Sequence, residues 1–207
     1  GQGLTTVKAK GRLATLAASM EGGRWPQTTG IGHTRWATHG VPSNLNSHPH
    51  VNETETIAIV HNDIIENHRP IREFLEDAGY HFHSETDSEV IVHMLDYYYR
   101  GDMLEAVRKT VRYLDGSFAL CAVCTDFPDT VYTARKDSPM VLGQTEQASL
   151  CASDIPALLA YTRDIVAMED RQIAVLKPDG IRLYDFDGKP VQPVWLHVDY
   201  DVQAAQK

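Results

Sequence analysis

The stretch Ile57-Ala58-Ile59-Val60-His61-Asn62-Asp63-Ile64-Ile65-Glu66-Asn67 decides how this chain is read. Ile57 to Val60 is a short apolar run that ends at His61-Asn62-Asp63, the pattern of a buried strand delivering a polar turn. A helix is predicted next, from about His68 to Ala78, because Ile71, Phe74, Leu75 and Ala78 fall on one helical stripe. Gly79 supplies its stop.

Working outward, a second helix is predicted from near Thr86. Thr86 and Glu89 have the spacing of a capping box, and Val90, Ile91, Met94, Leu95 and Tyr98 recur at helical period. A third, from about Asp102 to Asp115, buries Met103, Ala106, Val107, Thr110, Val111 and Leu114, with Gly116 closing it. Strands dominate the remainder: Phe118–Cys124, Thr130–Ala134, Met140–Gly143, Ser149–Ser153, Ile165–Met168, Gln172–Lys177 and Ile181–Tyr184. Asp179-Gly180 and Asp187-Gly188 carry hairpin-turn signals, and a helical turn or more is expected over Ile155–Tyr161. Two or three helices with seven or more apolar-faced strands predict an α+β sandwich.

The bulk numbers narrow the function classes. At 207 residues the chain is long enough for a substantial core. No apolar run approaches the roughly 20 residues that span a bilayer, and nothing at the start reads as a signal peptide. A net charge of −9 argues against a nucleic-acid surface. The three cysteines, Cys121, Cys124 and Cys151, are too few and too odd in number for a disulfide framework, so the expected location is cytoplasmic. Cys121 and Cys124 sit three apart on a predicted strand and so point to opposite faces, which argues against a shared metal. The histidine pairs His48/His50 and His81/His83 lack a recognisable ligand spacing to carboxylates or cysteines, and solvated or hydrogen-bonded roles are expected.

Three polar clusters carry the chemistry: residues 32 to 40 (Gly-His-Thr-Arg-Trp-Ala-Thr-His-Gly), residues 61 to 67, and residues 84 to 89. Each borders a regular element, where sites are built on rigid scaffolds. Arg35 offers a fork-shaped donor suited to a carboxylate, Asp87 a fixed negative charge, and Asn62 an amide donor for a developing oxyanion. An Arg and an Asp together suit the two charged ends of an amino acid. Other readings stand beside this one: Arg35 and Asp87 paired as a structural salt bridge, Asp87 as an acid in a helix's first turn, and Asn62 completing a turn.

The run from His33 to Gly40 resembles the glutamine-binding signature of glucosamine-6-phosphate synthases, which are class II, N-terminal-nucleophile glutamine amidotransferases. The likeness continues through Pro42-Ser43, Asn46, His48-Pro49-His50, His61-Asn62, Ile64 to Asn67, Ser84 to Asp87, Leu114 to Ala119 and Ser138-Pro139. The resemblance implies a four-layer αββα sandwich without its first strand and helix, covering residues 1–197. Residues 198–207 would begin a linker to a sugar-isomerase half. It implies that Arg35 holds the glutamine carboxylate and Asp87 its ammonium, while Thr38 and His39 line the pocket. Asn62 and the backbone N–H of Asp63 would form the oxyanion hole, and Trp36 would lie near the ammonia path. L-glutamine would be the substrate, fructose 6-phosphate the ammonia acceptor in the second half, and a homo-oligomer the assembly. No cofactor is implied. Amidotransferases of purine synthesis are the neighbouring alternative; a silent glutamine-binding or regulatory module and a purely structural sandwich are the others.

Two departures from the resembled pattern stand out. The family's nucleophile is an N-terminal cysteine whose own α-amine serves as base, whereas this sequence opens Gly1-Gln2-Gly3; the expectation is that it starts a few tens of residues late and, as it stands, is inactive. Asp63 also replaces the glycine that follows His-Asn. Asp tolerates positive φ better than most residues, so the turn is expected to form.

Overall fold

An unbroken apolar run suits a strand covered on both faces, and the strand that carries Ile57–Val60 is covered on both. In the computed structural model, which describes residues 3–34 and 41–199, β2 (Ile57–Ile65) buries its first five residues without interruption. β1 (His50–Val51) precedes it, α1 is Leu13–Met20, and α2 (His68–Asp77), α3 (Glu89–Tyr98) and α4 (Met103–Tyr113) follow. Next come β3 (Gly116–Cys124), β4 (Val131–Lys136), β5 (Val141–Gln144), β6 (Ser149–Ala152), β7 (Asp164–Ala167), β8 (Gln172–Lys177), β9 (Gly180–Asp185), β10 (Pro190–Val191) and β11 (Leu196–His197). One antiparallel sheet has the order β1-β2-β3-β4-β8-β9-β10, and the second has the order β11-β7-β5-β6.

Side-chain alternation sorts the core into layers. Ile57, Ile59 and Ile65 of β2 and Phe118, Leu120 and Ala122 of β3 join Leu75, Ile91, Leu95, Val107 and Val111 of the helices in one cluster. Val60, Ala119 and Cys121 face the other way, against Leu142 and Val166 of the second sheet. A third cluster, Val141, Leu158, Ile165 and Val198, covers that sheet's outer face. The chain is thus an α+β sandwich, with α2, α3 and α4 on the seven-stranded sheet and the four-stranded sheet beneath. Cys121 and Cys124 fall in different clusters, as their spacing predicts, and the Cys121 thiol lies 3.5 Å from that of Cys151.

Several expectations are corrected. Phe74 does not share α2's buried stripe; it is 45% exposed and meets the Tyr97 ring edge-on, leaving Ile71 and Leu75 to bury the helix. The capping box at Thr86 does not form. α3 begins three residues later, because Glu89 reaches back to the N–H groups of His83 and Ser84 while Thr86 turns its hydroxyl to Ser84 and His50. α3 also buries Val92 and His93, which fall outside the expected stripe, since α2, α4 and the sheet surround its first seven residues. The expected helical turn at Ile155–Tyr161 is a succession of turns, with Leu158 N–H bonded to Ile155 and Tyr161 N–H to Leu158. Gly116 opens β3 rather than capping a helix. α1 and the two-residue strands β1, β10 and β11 carry no periodic signal long enough to read. α4 matches its reading, with Asp102 as N-cap accepting from the Glu105 N–H at 3.0 Å.

Candidate active site

The polar end of β2 is where the sheet carries its chemistry. β1 pairs only with Ala58 and Ile59, so beyond them β2 has no second strand partner among the described residues. His61 points to the helical side. It is buried, and its Nδ1 lies 2.9 Å from the hydroxyl of Ser88, the N-cap of α3. Asn62, opposite Ala119, sits on the other face, toward the second sheet. Its Oδ1 lies 2.6 Å from His33 Nε2. Since a carboxamide oxygen only accepts, the imidazole nitrogen donates and the Asn62 NH₂ is turned away from it. Asp63 follows with φ 73 and an exposed side chain, the left-handed conformation anticipated at this position.

The loop after α2 braces this end. Asp87 is 2% exposed, and its Oδ2 accepts the Ile65 N–H at 2.8 Å. It precedes α3 rather than lying in its first turn, and Asn62 lies within a strand rather than in a turn. Ser84 donates to Glu89 Oε2 at 2.6 Å, and the Thr86 hydroxyl meets His50 Nε2 at 3.1 Å. The structure therefore brings Asn62, Asp63 and Asp87 to one end of β2. Arg35, Trp36, Thr38 and His39 lie outside the described residues; His33 and Thr34 lead into that segment.

Two buried ionisable groups here face acid in the same direction. Burial pushes His61 down to about 4, against smaller upward pulls from Asp87 and Asp63. Burial alone raises the Glu89 carboxyl, but the His93 imidazole 3.5 Å away, the Ser84 hydroxyl and the backbone N–H groups of His83 and Ser84 outweigh it and bring it to about 2. Both folded values lie below the ordinary ones, so the unfolded chain binds more protons at acid pH and stability falls with pH. His61 contributes fully above pH 6.5 and is lost toward pH 4; Glu89 contributes above pH 4.5 and is lost toward pH 2. Urea unfolding at pH 7 and pH 4 is expected to differ by about 3 kcal/mol through His61. His61→Asn, which keeps a partner for Ser88 but does not titrate, flattens that interval; an unchanged slope in this variant contradicts the assignment.

The glutamine amidotransferase domain family matches residues 33–160, which contain all of this geometry. The chain belongs to that family. It is 47% identical over 200 residues to the glutamine–fructose-6-phosphate aminotransferase (isomerizing) of Clostridium perfringens, covering 97% of this chain and 33% of that protein. It is 48% identical over 206 residues to the enzyme of the same name from Clostridium tetani, covering 100% of this chain and 34% of that protein. The chain thus spans about a third of the length of the relatives it matches. Among solved structures it is similar to the glutamine phosphoribosylpyrophosphate amidotransferase of B. subtilis complexed with ADP and GMP. That match has a TM-score of 0.62 and 20% identity, over 74% of this chain and 34% of that one. At that identity the likeness concerns the fold alone, an α+β sandwich. In this amidotransferase domain Asn62, Asp63 and Asp87 are candidates legible in the sequence, in two separate clusters that the fold brings to one end of β2, whereas His33, His61 and Ser88 have no role that the sequence indicates. Their contacts span 29 residues for His33–Asn62 and 27 for His61–Ser88, and no local pattern records a contact of that span.

Proposed function

We propose that this chain is the glutamine-hydrolysing part of a glutamine–fructose-6-phosphate aminotransferase, releasing ammonia that a further domain of the same polypeptide transfers to fructose 6-phosphate. The observation that carries the reading is the Asn62 carboxamide, held by its oxygen with its NH₂ turned away, at the open end of β2. A donor fixed before reaction begins suits an oxyanion, because no reorganisation is needed when charge develops. Asn62 and the backbone N–H of Asp63 form the oxyanion hole. Arg35 takes the glutamine carboxylate as a bidentate partner, and Asp87 takes its ammonium. Thr38 and His39 line the pocket, and Trp36 lies by the ammonia path. Residues 1–197 form the domain, and 198–207 begin the linker, although Val198 itself is buried in the third cluster. The sugar-isomerising domain, a homo-oligomeric assembly and a cytoplasmic location belong to the same proposal.

The test pairs calorimetric titration with L-glutamine and an ammonia-release assay, both on the full-length gene product. Binding together with release supports the proposal. Binding without release makes the domain a glutamine-sensing module, and absence of binding leaves only a structural role.

Asp63 supplies a further prediction. Its carboxylate stands next to a proposed oxyanion donor, and its φ of 73 suits glycine better. Asp63→Gly is expected to raise the ammonia-release rate about 5-fold, from removal of about 1 kcal/mol of charge repulsion. The gain shrinks as salt is added, because the side chain is exposed. Equal rates at low salt refute it.

A further inference from the structure

We propose that His33 is a positioning residue that sets the orientation of the Asn62 carboxamide. The proposal rests on the oxyanion reading of Asn62 given above and goes beyond it by naming what aims the donor.

A free asparagine amide rotates between two nearly isosteric orientations, and only one presents NH₂ to a substrate oxygen. An imidazole N–H facing the carboxamide selects that orientation, because the opposite one sets two donors against each other. His33 Nε2 stands 2.6 Å from Asn62 Oδ1, close enough to enforce the choice. The imidazole is braced in turn. Its ring lies 4.2 Å from the His48 ring, tilted by 40°. His48 meets His50 edge-on at 5.0 Å and approaches His61 at 6.5 Å. Those outer rings are tied to the loop before α3, His50 to the Thr86 hydroxyl and His61 to that of Ser88. The same loop holds the end of β2 through Asp87 and the Ile65 N–H. Asn62 is therefore fixed twice, its backbone through the sheet and Asp87, and its side chain through His33. Such supporting contacts decide whether a site group stays within the fraction of an ångström that catalysis requires.

The test measures glutamine hydrolysis by the full-length gene product in the wild type, His33→Ala, His33→Gln, Asn62→Ala and the His33→Ala/Asn62→Ala double variant. His33→Ala is expected to lower kcat about 10- to 100-fold, the scale of a misplaced catalytic group. KM for glutamine stays within about twofold, since the interaction is made in the transition state. His33→Gln, whose amide N–H donates to the same oxygen, recovers most of the loss. The double variant is no slower than Asn62→Ala alone, because the two residues act as one unit. A His33→Ala enzyme as fast as wild type, or a double variant slowed by both factors multiplied, overturns the proposal. If Asn62→Ala itself keeps the wild-type kcat, the oxyanion reading fails; if Asn62→Ala is slow and His33→Ala is not, only the role of His33 fails. Should His33→Ala fail to fold, spectra of the wild type with ¹⁵N-labelled histidine decide the matter. Hydrogen on His33 Nε2 at pH 7 is expected, with its resonance shifted in Asn62→Ala; hydrogen on Nδ1 alone overturns the assignment.

Discussion

Asn62→Ala is expected to lower kcat for glutamine hydrolysis by about 10²–10³, the cost of removing one preorganised oxyanion donor. The side chain sits on the face of β2 toward the second sheet, with its oxygen occupied by His33. Truncation removes the NH₂ donor together with the oxygen that His33 holds, and leaves the strand ladder intact. KM is therefore expected to change little, because the lost interaction develops with the charge rather than with binding. The melting temperature should fall only slightly, since Asn62 is half-buried and outside the apolar clusters. A kcat within a factor of a few of wild type, in a protein that still binds glutamine, removes Asn62 from the mechanism. A loss of glutamine binding as large as the loss in kcat moves its role to ground-state contacts.

Gly116→Ala is the substitution expected to cost the most stability for the smallest change in composition. Gly116 opens β3 opposite Ile65, with φ 105. An added Cβ meets the Ile64 carbonyl oxygen well inside contact distance and lies 3.1 Å from the Glu66 N. Both are backbone atoms, so neither yields as a flexible side chain does. Left-handed strain and overpacking together are expected to cost about 2–4 kcal/mol. In a domain of this size that corresponds to a drop of roughly 5–15 °C in melting temperature by calorimetry. The displacement falls on Ile64 and Ile65, one turn of chain from Asn62 and on the very N–H that Asp87 holds. A fall in kcat measured well below the new melting temperature should accompany the stability loss. An unchanged melting temperature means the β2–β3 junction has room that the backbone geometry does not show.

Two features read directly from sequence because their signals are local: the apolar run at Ile57 and the stripe of α4 each depend on neighbours within a few residues. The positive φ at Asp63 follows from the glycine that the resembled family carries there, and the polar turn expected at His61-Asn62-Asp63 does not form, because β2 continues through it to Ile65, paired with β3 throughout. The misreadings share a cause as well. Thr86 and Glu89 have capping-box spacing, but Glu89 takes its partners from the chain before the helix while Thr86 meets His50, 36 residues away. Phe74 has stripe spacing, yet the helix turns its buried face through Ile71 and Leu75, leaving the ring to Tyr97.

By itself, the sequence determined that strands and helices alternate into an α+β sandwich, and that Asn62, Asp63 and Asp87 belong at the ends of regular elements. Periodicity and turn chemistry are written residue by residue and need no distant partner. Only the tertiary structure decided that Asp87 grips the Ile65 N–H, that His33 faces the Asn62 carboxamide, and that a row of imidazoles links both to one loop. Those contacts join segments 22 and 29 residues apart, and which side chains meet across such spans is set by how the layers pack, not by spacing along the chain.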